Sequence, residues 1–219
     1  TGTENAFVGG QAGTALIDAD HNVAVGKAAL YSDTYGSKST AIGHGVLSTQ
    51  NFTTATDSYN TGVGYKAGEA LTTGVYNTLI GGVAGDALID ADQNTAVGQW
   101  SLSSDTYGSH STALGYYALE AQNFTTATDS HNTAVGDNVG KAITTGVQNT
   151  LIGSAAGDAL TDADLNIAVG YLALTSDTLG SKSVAIGGSA LFTQNFTTAT
   201  DAYNVAIGHG AGAAVTTGV

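Results

Sequence analysis

The groups in this 219-residue chain best suited to chemistry are its carboxylates: 15 Asp and 3 Glu stand against 5 Lys and no Arg. Their spacing is regular. Asp18-Ala19-Asp20, Asp90-Ala91-Asp92 and Asp162-Ala163-Asp164 place paired carboxylates in one turn, and Asp33, Asp105 and Asp177 follow one rung later at nearly the same angular position. Three hard oxygen donors gathered in this way suit calcium, with backbone oxygens and water completing the shell of six to eight ligands. The ordinary alternative is that each Asp caps a turn by bonding its own backbone.

A second candidate site is the segment Gln-Asn-Phe-Thr-Thr-Ala-Thr-Asp, which occurs at residues 50–57, 122–129 and 194–201. It carries a four-residue excess and is expected to bulge as a loop, where binding functions concentrate. Ligand contact would then fall on Asn51, Phe52, Thr53 and Asp57, on Asn123, Phe124, Thr125 and Asp129, and on Asn195, Phe196, Thr197 and Asp201. The alternative is a structural bulge whose Phe packs at the loop base. Asn51, Asn123 and Asn195 each head an Asn-Phe-Thr sequon, a glycosylation acceptor in a host with the machinery.

Catalysis is not expected. The chain has no Cys, and its five His align between repeats with unlike residues: His21 with Gln93 and Leu165, His110 with Lys38 and Lys182, His131 with Tyr59 and Tyr203. A repeating acid, base or metal ligand would recur. A formal charge of −13 argues against nucleic acid or an anionic membrane as partner. No apolar run approaches the ~20 residues of a membrane-spanning helix, so insertion of this segment is not expected.

The elements that position these groups are repeats on two scales. A five-residue motif recurs twelve times: Asn or Ser, then Thr, Val, Ala or Ile, then a mostly small residue, then Val, Ile or Leu, then Gly. Asn22-Val23-Ala24-Val25-Gly26 and Asn94-Thr95-Ala96-Val97-Gly98 are examples. Its glycines are spaced 17, 17, 21 and 17 residues apart, and the pattern returns every 72 residues. The units are 1–72, 73–144 and 145–216, with 217–219 beginning a fourth, so an excerpt of a longer array is expected.

Taken as a strand, the motif puts its second and fourth positions on one face. The fourth is aliphatic in every copy, from Val8, Val25 and Ile42 through Val97 to Ile186 and Ile207, so that face is expected to be buried. Residues after the Gly, such as Lys27-Ala28-Ala29-Leu30, read as a second short strand. Short strands and turns in ~17 residues make one rung of an all-β parallel solenoid, because a rung satisfies its backbone groups only by pairing with the rungs above and below. Frequent Gly (31 residues) and two-residue alternation exclude a helical array. One thin Ala-rich roll buries little, so self-association into a multi-chain fibre is expected.

Ser183-Val184-Ala185-Ile186-Gly187, Asn204-Val205-Ala206-Ile207-Gly208 and the Asn-Thr-Ala-Val-Gly forms resemble the head repeats of trimeric autotransporter adhesins. They are similar also to the Asn-Thr-Ala-Val-Gly-x-x-Ala-Leu arrays of bacteriophage tail fibres. The resemblance spans all twelve copies and implies a left-handed parallel β-roll, three chains side by side, and attachment to a cell-surface receptor or glycan from an extracellular, cell-surface or virion location. The rungs here are longer than is usual in adhesin heads. A different function is suggested by Thr at the second motif position in seven consecutive rungs, Thr40, Thr61, Thr78, Thr95, Thr112, Thr133 and Thr150. Facing outward, such a ladder suits an ice-binding solenoid.

Overall fold

The computed structural model describes residues 2–219; Thr1, which opens the first unit, lies outside them. The described chain is all-β and contains no helix, hence none long and apolar enough to cross a membrane. Twelve three-residue strands, from Ala6–Val8 to Val205–Ile207, pair in parallel and in chain order into one sheet. Register follows the motif: Thr95 pairs with Thr112 across a short rung, and Thr112 with Thr133 across a long one. The chain is a parallel β-solenoid of twelve turns.

The sheet faces the opposite way from the expectation. The third motif position points into the roll: Ala24, Ala41, Ala96, Ala113, Ala134 and Ala168 are fully buried. The second and fourth positions point outward, and Ile42 and Ile152 are each 39% exposed. The physical reason is the bore of a 17-residue rung. An Ala inward leaves room for one Leu from the far wall, whereas Val or Ile on every rung would overfill it.

Compensating pairs show how tightly the interior is filled. Where the third position enlarges to Leu79, glycines flank it: a Cβ on Gly85 would lie 2.8 Å from Leu79 Cδ2, and one on Gly68 2.7 Å from Leu79 Cδ1. Where Val46 replaces the usual Ala, the next rung carries Gly62, whose added Cβ would sit 2.4 Å from Val46 Cγ1.

Residues 27–30 and their counterparts form turns, not a second strand. Ala28 (φ 57°) and Leu30 (φ 48°) are left-handed, a conformation that breaks strand alternation. Each such corner recovers a hydrogen bond between rungs: Ala28 N–H donates to the Gly10 carbonyl and Leu30 N–H to that of Val46. Among the described residues, strand pairing outside the main sheet is confined to three two-residue bridges at the long rungs, Gly36–Ser37 with Thr56–Asp57 and its two equivalents.

The first motif position is a buried polar spine. Asn94 Oδ1 accepts the Ser111 N–H at 2.8 Å, and its Nδ2 donates to the Gly108 carbonyl at 2.8 Å. Asn22, Asn149 and Asn166 repeat both bonds. An amide is the one small side chain that both accepts from the next rung and donates to its own turn.

Candidate functional site: the long-rung loops and the outward sheet face

At each long rung the spine changes. Ser39, Ser111 and Ser183 replace Asn. Gln supplies the missing amide. Gln122 Nε2 donates to Ser111 Oγ at 2.8 Å and to Asp105 Oδ2 at 2.6 Å, while its Oε1 accepts from Asn132 Nδ2 at 2.9 Å. Ser111 and Ser130 hydroxyls join at 2.5 Å.

Asp105 is fully buried at the centre of this network. Its Oδ1 accepts the backbone N–H groups of Gly108 (3.1 Å) and Phe124 (3.0 Å). Asp33 and Asp177 do the same with Gly36 and Phe52, and with Gly180 and Phe196. A buried carboxylate needs several donors to offset lost hydration, and here all of them are neutral groups of the chain.

Most of the carboxylates considered for calcium have hydrogen-bond partners within the chain. Asp33, Asp105 and Asp177 are buried and saturated by donors. Asp20, Asp92 and Asp164 accept backbone N–H groups of the preceding rung, from Thr3, Val75 and Val147. Asp90 and Asp162 accept from the hydroxyls of Thr73 and Thr145. Asp18 stands at the corresponding corner of the first unit. Among the described residues no group of three or more His, Cys, Asp or Glu side chains is placed to hold an ion. Asp33, Asp105 and Asp177 each tie their own turn through the N–H three residues on, whereas Asp92 and Asp164 tie turns across rungs.

The loops divide into a buried base and an exposed tip. Phe52, Phe124 and Phe196 are buried, Phe52 at 6% exposure, and pack on Gly36, Gly108 and Gly180, where a Cβ would lie 2.7 Å from the ring. They anchor the loop at its base. Residues 53–55, 125–127 and 197–199 form the exposed tips. Asn51 and Asn123 are exposed and Asn195 half-exposed, with Oδ1 of each accepting from Thr34, Thr106 or Thr178.

Asp57 pairs with Lys38 at 2.6 Å and Asp201 with Lys182 at 2.5 Å. The carboxylate hydrogen bond, aided by Tyr59 or Tyr203, raises both ammonium pKa values. In the middle unit His110 takes the place of the Lys, its Nε2 3.5 Å from Asp129 Oδ1 and its ring stacked on His131 with centroids 5.0 Å apart.

The outward sheet face is the larger surface. Its fourth-position rank is aliphatic on all twelve rungs, its second-position rank is Thr on the seven from Thr40 to Thr150, and neither rank holds a charge. One further cluster, Trp100, Tyr116, Tyr117 and Lys141, escapes a reading based on repetition because it occurs in one unit only. The only available signal was the single Trp of the chain. No family model matches the chain, and neither a curated protein nor a solved structure matches it.

Proposed function

We propose that this chain is a structural segment of an extracellular fibre used for surface attachment, in which several copies, three if the adhesin-head resemblance holds, pack through the outward face of the twelve-stranded sheet. The single observation that carries the reading is that face. A purely parallel sheet is ordinarily covered on both sides, yet here one side rests on the roll's core and the other bears an unbroken aliphatic rank in the open.

The size suits association. Twelve rungs at ~4.8 Å run ~58 Å, and a strip of about five residues is ~15 Å wide, giving roughly 900 Å². That is close to the ~800 Å² each partner buries in a stable interface. A rod so assembled sets distance and repeats its loop tips every ~19 Å, which favours avid attachment through weak contacts. Deleting the tips and measuring adhesion to the target surface tests the display role: unchanged adhesion would place the adhesive site elsewhere.

The Thr ladder supports a second reading. The row faces outward, with each Thr partly exposed beside an aliphatic neighbour. The same face cannot serve both roles. Thermal hysteresis from a monomeric rod favours ice binding; its absence, with association, favours the fibre.

A further inference from the structure

We propose that the corner formed by Trp100, Tyr116, Tyr117 and Lys141 is a binding platform for the pyranose rings of a neutral oligosaccharide. This goes beyond the fibre reading, since it assigns a site outside the loop tips and holds for a single rod as for an assembly.

The fold does not require these side chains. The corresponding positions hold Ala28 and Leu172 for Trp100, His44 and Gly188 for Tyr116, Gly45 and Ser189 for Tyr117, and Glu69 and Ala213 for Lys141. The buried residues of the same two rungs are kept across units: Leu102 matches Leu30 and Leu174, and Leu119 matches Leu47 and Leu191. Three large aromatic rings have thus been placed together on the surface of one unit without serving the core.

Their geometry is that of a braced platform. Trp100 is 37% and Tyr116 45% exposed. Between them Tyr117 is half-buried, its ring 6.3 Å from the indole at 23° and 4.1 Å from the Tyr116 ring at 59°. Lys141 Nζ lies 4.3 Å from the Tyr117 centroid. The neighbouring Tyr117 phenol is the main cause of the raised Tyr116 pKa. Wedged on these sides, Tyr117 fixes the other two rings, so little rotamer entropy remains to be lost on binding.

The surrounding groups select the ligand. A pyranose offers an apolar C–H face and a rim of hydroxyls, which calls for aromatic surface beside hydrogen-bonding groups. Gln99 is exposed next to Trp100, and one rung beyond Tyr116 the Asp137 carboxylate accepts from Asn138 Nδ2 at 2.8 Å. Carboxylate and amides together supply acceptors and donors for neighbouring hydroxyls. Asp137 and the −13 formal charge disfavour an acidic glycan. The described residues enclose no cavity, so the platform suits an internal stretch of a sugar chain lying across it, with single-site affinity of about millimolar.

Trp100 is the only tryptophan, so its fluorescence reports on this site alone. The full chain is titrated with tetraoses of glucose, galactose and mannose and with a galacturonate tetramer. The expected result is a saturable change with a neutral tetraose at a Kd of about 1 mM. Two variants copy residues that sister units already carry, so folding is preserved: Tyr116→Gly as at Gly188, followed by fluorescence, and Trp100→Ala as at Ala28, followed by calorimetry. Each is expected to weaken binding at least ~10-fold. No saturable change with any neutral tetraose, binding of the galacturonate tetramer alone, or undiminished binding in both variants overturns the proposal.

Discussion

Replacing Asp105 by Ala removes the acceptor at the centre of the middle long rung. The backbone N–H groups of Gly108 and Phe124 lose the carboxylate that accepts them, and Gln122 keeps only Ser111 for its Nε2. A buried donor left unsatisfied costs about 1–3 kcal/mol, so two of them amount to about 2–6 kcal/mol. In a stack of repeats, rungs interact with their neighbours, so the loss should appear as local opening rather than global unfolding. Hydrogen exchange read by mass spectrometry on peptides covering 105–109 and 122–130 is expected to accelerate at least ~30-fold, the equivalent of about 2 kcal/mol. The equivalent peptides around Asp33 and Asp177 should be unchanged. An unaltered rate in the middle unit, or acceleration spread evenly over all three, would refute the assignment of Asp105 as the local keystone.

Asn94→Ala breaks the bonds to Ser111 N–H and the Gly108 carbonyl and should lower the denaturation midpoint by the equivalent of about 2–3 kcal/mol. Removing residues 125–128 alone should displace Gln122 and Ser130, the side-chain partners of Ser111, and adding Ser111→Asn should recover about 1–2 kcal/mol in the same denaturation assay. Asp86 is pushed up to about 6 by burial, and its Oδ1 is buried without a partner. A carboxyl raised in the folded state binds more protons there than when unfolded, so stability falls as pH rises from about 4 to about 6. Partial exposure reduces the effect to about 1–2 kcal/mol, and Asp86→Asn should remove that slope in melting curves across this range.

Rung length, the twelve strands, their parallel stacking and the protruding loops were legible because each leaves a periodic mark in the chain. Facing was not. The aliphatic fourth position was read as buried because apolar residues usually are, while the better signal lay in the third position. There Ala recurs, and each departure is matched elsewhere: Leu79 by Gly68 and Gly85, Gly62 by Val46. Matched volumes mark an interior; an unmatched aliphatic rank marks a surface that meets something else. The Asp residues misled in another way. Asp33, Asp105 and Asp177 recur as metal ligands would, but they fall where short rungs such as those of Leu88 and Leu160 place an inward Leu, so their side chains enter the core. The aromatic corner at Trp100 leaves no periodic mark at all, since it belongs to one unit.

The central claim is that the outward sheet face is an assembly surface, and sedimentation equilibrium of the chain beside its Leu114→Lys variant tests it most directly. Leu114 lies mid-sheet in the outward rank, half-exposed, so Lys there is solvated in a single rod and would be buried uncompensated in an interface. The account predicts an oligomer, three copies by the adhesin-head resemblance, for the parent chain and a folded monomer for the variant. A parent chain that sediments as a monomer at high concentration, or a variant that assembles as well as the parent, would contradict it.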